Sequence, residues 1–336
     1  MEYWVPWGET EVFFEAPPEL SATIPSAQPL PEENLLARLS KLPRAPFLFI
    51  DYLPPPQAYQ AILERVAETD ATVYVASWRL GPEKQAEAVA ALEQLERKPP
   101  IAPIKELRQE RRPIDQAVLI YHGTSRLLLQ KVINNPSDYL SWLIKHHGAP
   151  SLDAPSTMVH RVELSYDSRG VIQRALVEDE EQAPPSQPFN SVIVSPGGTP
   201  FDSTFYLTAQ SIIIAAEACS EKTSILSVSE CRDGFGPPDF VRRLYDIIKS
   251  GEETAPTPDE GPYSLIAERL ADVLRRIRVY LVTALPRSLT QILLGLKSYD
   301  TIQEGFTQLL RLHGKSQRLL LIREGLHTDL TNSQTC

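Results

Sequence analysis

Short apolar runs alternate with stretches of helical spacing along most of the chain. Residues 47–51 (FLFID), 72–77 (TVYVAS) and 117–121 (AVLIY) are apolar runs of strand length, which suits strands covered on both faces of a parallel sheet. Between the first two, Ala58, Ile62 and Val66 recur at helical spacing and predict a helix over 57–68. Pro82 opens a second predicted helix, 82–97, and Asn135-Pro136-Ser137-Asp138 opens a third that runs to about His146. Two patterns predict hairpins: residues 4–5 with 11–15 around Trp7-Gly8, and 159–165 with 171–177 around Asp167-Ser168-Arg169-Gly170.

The second half repeats the alternation. Strands are predicted at 191–195, 223–229, 278–282 and 318–322, and helices at 203–218, 238–248, 263–275, 288–296 and 301–312. Strands alternating with helices mean an α/β fold with mostly parallel sheets, in which ligands sit beyond the C-terminal ends of the strands. The acidic, proline-rich stretch 178–188 is the predicted linker. It separates an N-terminal α/β domain, 1–183, from a C-terminal α/β domain, 189–316, with an interdomain cleft expected between their sheets.

Composition refines this picture. The 336 residues include 30 prolines, about 9% against a usual ~5%, which signals many stiff connections. The 33 basic and 43 acidic residues give a net charge of -10, without a Lys/Arg block to track a phosphate backbone. Nucleic acids and anionic membrane surfaces are therefore not expected partners. No apolar run approaches the roughly 18–20 residues that span a bilayer. The first residues lack the basic-then-apolar order of a signal peptide, so a cytoplasmic address is expected. Cys219, Cys231 and Cys336 show no CxxC spacing, which argues against a disulfide framework and a structural zinc. Walker-type, GxGxxG, GxSxG and HExxH motifs are missing, and the kinase, classical dehydrogenase, α/β-hydrolase and zincin readings lose their main support.

Several residues remain as candidates for chemistry. His122 directly follows a predicted strand, where it would move protons near neutral pH while Thr124, Ser125 and Arg126 hold an anion; the plainer alternative is a surface-loop histidine. Asp51 ends a predicted strand, as a functional acid or as an N-cap. Gly197-Gly198 and Gly234/Gly236 follow strands, where they either aim backbone N–H groups at an anion or supply turn geometry. His146-His147 closes a helix and suits its C-terminal dipole, and Glu178 to Glu181 reads as a solvated linker face rather than a metal site.

One succession is more specific. Val192-Ile193-Val194-Ser195-Pro196-Gly197-Gly198-Thr199-Pro200-Phe201-Asp202 leads to Tyr206, then Ala215-Ala216-Glu217-Ala218, then a strand, then Asp233-Gly234-Phe235-Gly236. With Val5-Pro6-Trp7-Gly8 and Phe13-Phe14-Glu15 at the start, this order resembles the nickel-pincer lactate racemase family, over nearly the whole chain. The resemblance implies an isomerase, a racemase or epimerase of small 2-hydroxy acids or related carboxylates. Its cofactor would be the nickel-pincer nucleotide, a nickel pyridinium-3,5-bisthiocarboxylic acid mononucleotide. It also implies that a final strand, 317–327, returns to the N-terminal domain.

Carried over position by position, the resemblance implies Asp51 at the cofactor phosphate, Lys131 bonded to the cofactor, His147 on nickel and His122 as a base. Gly197, Gly198 and Tyr206 would be cofactor-binding residues in the second half. Three departures stand out. The family's phosphate-contacting Thr and Arg fall on Leu53 and Pro54, its catalytic-loop histidine falls within Ser77-Trp78-Arg79-Leu80-Gly81-Pro82, and its second-half lysine falls on Gln210. A racemase needs a base on each face of its substrate. The rival expectation is therefore a catalytically degenerate pseudoenzyme that keeps the fold for binding or regulation, without the cofactor. A third reading is an anion-binding protein that uses only its strand-loop-helix edges.

Overall fold

A computed structural model of the chain describes residues 1–81, 84–96, 98–110, 112, 114–130, 133, 135–147, 158–177, 189–251 and 261–330. The N-terminal hairpin is β1 (Glu2–Trp7) and β2 (Thr10–Glu15), followed by β3 (Ala22–Thr23), α1 (Glu32–Leu39) and β4 (Ala45–Asp51). Next come α2 (Gln60–Val66), β5 (Ala67–Ala76), α3 (Gln85–Leu92), β6 (Ile101–Pro103), β7 (Gln116–His122), α4 (Gly123–Leu129), α5 (Pro136–His147), β8 (Met158–Tyr166) and β9 (Ile172–Val177). The remainder is β10 (Phe189–Val194), α6 (Phe205–Ala216), β11 (Cys219–Val228), α7 (Pro238–Ser250), α8 (Pro262–Arg276), β12 (Arg278–Val282), α9 (Arg287–Leu294), β13 (Lys297–Tyr299), α10 (Ile302–His313) and β14 (Leu319–Ile322).

Two α/β units result, one of residues 28–181 and the other of 1–27 with 182–336. The 28–181 unit has a six-stranded sheet in the order β6-β5-β4-β7-β8-β9, parallel throughout except for the antiparallel β8–β9 pair. The apolar runs in β4 and β7 are fully buried, as expected of central parallel strands. The other unit has an all-parallel sheet, β13-β12-β11-β10-β14-β3. Its helix α6 is buried at every position, polar Thr208, Gln210 and Ser211 included, and the Thr204 hydroxyl caps it by accepting from Leu207 N.

Two expectations of chain organisation are corrected. The N-terminal hairpin belongs with the second half: Tyr3, Val5 and Phe14 enter one core with Leu226, Phe306 and Leu319. The final strand also stays there, since β14 pairs with β10 in register Ser191↔Leu319 through Val194↔Ile322 and not with the first sheet. All four β14 residues are buried, so this strand needs neighbours on both sides, and β10 and β3 provide them.

Other differences are local. The helix predicted over 57–68 is a 3₁₀ turn, Pro56–Tyr59, followed by α2, and β5 begins at Ala67. Proline clusters also hide β6 and a 3₁₀ helix, Ile104–Gln109, where only a connection is predicted. The predicted linker, 178–188, lies outside the described residues, as do both end residues of the 82–97 helix.

Candidate functional site

Strands β4, β5 and β7 lie side by side with Asp51 level with Ala76 and Ile50 level with Ile120, so their C-terminal ends open onto one edge. Asp51 and His122 both sit at this edge and both are fully buried. Asp51 Oδ2 accepts hydrogen bonds from Ser125 Oγ and Tyr139 Oη, each at 2.6 Å, while Oδ1 is buried without a hydrogen-bond partner. Burial pushes the Asp51 carboxyl above its ordinary value; the Ser125 and Tyr139 hydrogen bonds and the Arg79 charge pull it the other way. The N-cap alternative for Asp51 does not apply, because Pro55 caps the next helical turn.

His122 is neither a surface residue nor a group facing solvent. Its Nδ1 accepts from Thr124 N at 3.1 Å and lies 2.7 Å from Thr124 Oγ1, so the imidazole caps α4. Its Nε2 lies 3.2 Å from Tyr166 O. Tyr166 N donates to the same nitrogen at 3.3 Å, so Tyr166 meets Nε2 through both of its backbone groups. The Tyr166 ring stands edge-on to the imidazole at 4.5 Å, and the Tyr166 hydroxyl donates to Leu53 O at 2.6 Å.

Arg79, in the segment where the family has its catalytic-loop histidine, is fully buried and donates to Thr124 Oγ1 at 2.7 Å. Trp78 Nε1 donates to Tyr139 Oη at 3.2 Å, which joins this segment to the Asp51 cluster. Thr124 and Ser125, expected to hold an anion, instead bind Arg79, His122 and Asp51. The third member of that group, Arg126, pairs with buried Glu163 at 3.3 Å. Sequence reasoning missed Tyr59 and Tyr166, whose hydroxyls meet at 2.8 Å beneath the Leu53 backbone. Their only signal was position at the end of an apolar pattern.

Lys131 lies outside the described residues, and His147 ends α5 with its side chain outside them. The segment matched to the family's phosphate contact does not suit a nucleotide phosphate. Leu53 N already donates to Tyr59 Oη at 3.0 Å, Pro54 has no N–H, and the acid at its head is the buried Asp51. Among the described residues, no group of three or more His, Cys, Asp or Glu side chains is placed to hold a metal ion.

Gly197, Gly198 and Tyr206 lie in the other unit, after β10 and on α6. Gly197 N donates to Ser195 Oγ at 3.2 Å and Thr199 N to Gly8 O at 2.8 Å, while Phe201 N and Asp202 N return to Gly198 O. The loop is folded on itself and on the Trp7-Gly8 turn. A Cβ on Gly198, at φ +72°, would sit 2.9 Å from Gly8 O, so close approach of backbones explains this glycine. A surface groove of about 560 Å³ runs past the loop between Trp4, Gly8, Glu9 and Glu11, and both of its carboxylates are paired, Glu9 with Arg232 at 3.3 Å and Glu11 with Arg323. Tyr206 is core: its ring meets Phe240 at 5.2 Å and Tyr263 at 5.4 Å, both edge-on.

The lactate racemase C-terminal domain family matches residues 185–328, the region that contains the glycine loop, Tyr206 and β14. Residues 185–328 are thus similar to the C-terminal domain of lactate racemase. The lactate racemase apoprotein from Thermoanaerobacterium thermosaccharolyticum is similar in structure over 98% of this chain and 99% of that one, with a TM-score of 0.60 and 14% identity. At that identity the likeness carries the fold. A search of curated proteins finds no match. Among the described residues, no helix is long and apolar enough to cross a membrane.

Proposed function

We propose that this chain, with its lactate racemase-like C-terminal domain, is a catalytically degenerate pseudoenzyme that keeps the fold for binding or regulation without racemising a substrate. One observation carries the reading: Arg79 and His122, at the two positions where acid-base groups are expected, are joined through Thr124 in a buried network. A proton-transferring base has to reach its substrate within about 2.6–3.2 Å. Here the imidazole nitrogens are already engaged with Thr124 and Tyr166. Arginine is also a poor replacement for a base, because it stays protonated across the physiological range. The crowded phosphate-contact segment supports loss of the nickel-pincer nucleotide as well.

The test is co-expression with the cofactor-making enzymes, followed by nickel analysis, intact mass and racemisation assays on a panel of 2-hydroxy acids. The reading expects an unmodified, nickel-free and inactive protein. Stoichiometric nickel, with a mass adduct that disappears in Lys131→Ala, would overturn it and restore Lys131 and His147 as cofactor residues, with Asp51, Gly197, Gly198 and Tyr206 beside them.

A further inference from the structure

The N-terminal hairpin buries one face and leaves the other open. Side chains alternate along a strand, so Tyr3, Val5 and Phe14 enter the core while Glu2, Trp4, Pro6, Glu11, Phe13 and Glu15 share the outer face. The antiparallel register sets these six in three rungs, with Glu2 opposite Glu15, Trp4 opposite Phe13 and Pro6 opposite Glu11.

Two of the rungs lack a counterpart within the chain. Trp4 and Phe13 are 46% and 44% exposed with their rings 4.9 Å apart, so a paired aromatic surface faces solvent. Glu2 and Glu15 set like charges directly opposite each other, which destabilises a sheet. Among the described residues neither carboxylate takes part in an ion pair: Gln303 holds only the Glu15 backbone, and the Met1 ammonium donates to Ala16 O. The third rung differs, since Glu11 is paired with Arg323. No Lys or Arg precedes Arg38 in the sequence.

Both open rungs select the same chemistry. A cation is attracted to the face of a Trp or Phe ring and to a carboxylate alike, and arginine with tryptophan is a common anchor of protein interfaces. Rungs on one face lie about 7 Å apart, which is also the spacing of alternate side chains along an extended chain. A second copy of this face would set acid against acid, and a wholly apolar partner would strand two carboxylates without water.

We propose that the outer face of the hairpin docks an extended basic segment of a partner protein, one Arg or Lys resting on Trp4 and Phe13 and the next between Glu2 and Glu15. The groove of about 560 Å³ bordered by Trp4 and Pro6 continues this face and gives the segment room to run on past Gly198. The hairpin belongs to one unit and the Arg79-Thr124-His122 network to the other. The inference therefore goes beyond the function proposed above and holds whether or not the chain racemises a substrate.

The test titrates the purified full chain with a synthetic peptide of four Arg-Gly repeats, and with one of four Glu-Gly repeats for comparison. Calorimetry reads affinity, tryptophan fluorescence reads the surroundings of Trp4, and sedimentation reads the oligomeric state. Saturable binding of the Arg-Gly peptide is expected, at least tenfold tighter than the Glu-Gly peptide and weakened by salt. Because the whole chain carries a net charge of -10, variants decide whether the hairpin is the site. Trp4→Ala with Phe13→Ala, and Glu2→Gln with Glu15→Gln, should each weaken binding at least fivefold, while Glu221→Gln on β11 and Ile292→Ala on α9 leave it unchanged. Circular dichroism and thermal unfolding identify a double variant that fails to fold, and Glu2→Lys, a single exposed change, then decides by weakening binding at least tenfold. Absence of saturable binding, affinity unaltered in the folded hairpin variants, or a dimer of the chain that Trp4→Ala with Phe13→Ala dissolves would each overturn the proposal.

Discussion

Arg79 and His122 share the hydroxyl of Thr124, which lies 2.7 Å from each. The arginine donates, so the hydroxyl proton is left to point at the imidazole Nδ1, and Thr124 N adds a second donor to the same nitrogen. A buried chain of this kind orients every member and engages both imidazole nitrogens. The wild-type side chains therefore close the edge at which the parallel strands of this fold would otherwise present a ligand.

Removing the shared hydroxyl tests the coupling. Thr124→Val keeps the shape but leaves a buried guanidinium donor and a buried imidazole each short of a bond, at a cost of about 2–5 kcal/mol together. Urea unfolding should show a lower midpoint with unchanged slope. A variant as stable as the wild type would mean that Arg79 and His122 do not depend on Thr124.

Asp51 gives a pH test whose sign follows from its raised carboxyl. Because the folded chain holds that proton more tightly than the unfolded chain, the folded state binds more protons once pH passes the ordinary value of 3.8. Stability contributed by this group is thus present at low pH and is lost as pH rises towards the folded value. Asp51→Asn removes the titration. Relative to this variant, the wild type should lose stability as unfolding is measured at successively higher pH from about 4; a constant difference across that range would show that Asp51 is not raised.

Asp202 ties the glycine loop to the N-terminal hairpin. Its Oδ2 accepts from Gly8 N at 2.7 Å and Glu230 N at 3.2 Å. Asp202→Ala strands both N–H groups, each costing about 1–3 kcal/mol. Limited proteolysis should then cut within residues 1–15 well before the rest of the chain, and equal resistance in variant and wild type would contradict this account.

Gly236 marks a close approach to α6. Its φ is +95°, and a Cβ there would fall 2.7 Å from Tyr206 Cβ. Gly236→Ala should destabilise by more than about 1 kcal/mol in thermal unfolding, from backbone strain and displacement of the Tyr206 ring together. An unchanged midpoint would place Tyr206 in a looser setting than its contacts with Phe240 and Tyr263 indicate.

Local patterns were legible where one short segment contains its own evidence. FLFI in β4 read as a buried strand, because an unbroken apolar run of that length leaves no polar face, and LLLI in β14 read as a strand. The Gly197-Gly198 succession was legible as chemistry of a family, and the family match covers it. Residues 32–39 were not read as a helix, because proline clusters on either side masked the eight residues of α1. His122 looked like a group at an open edge, since nothing in Tyr121-His122-Gly123-Thr124 shows that Tyr166, 44 residues later, closes over the ring.

From its sequence alone this chain is determined to be α/β, built from parallel strands and carrying the lactate racemase-like motif order, because periodicity and motif spacing are properties of neighbouring residues. Only the tertiary structure decided that the first 27 residues and β14 join the second half, and that Arg79, Thr124 and His122 lock together. Strand pairing and the filling of a buried edge depend on which distant surfaces meet, and that energy is not written in any single segment.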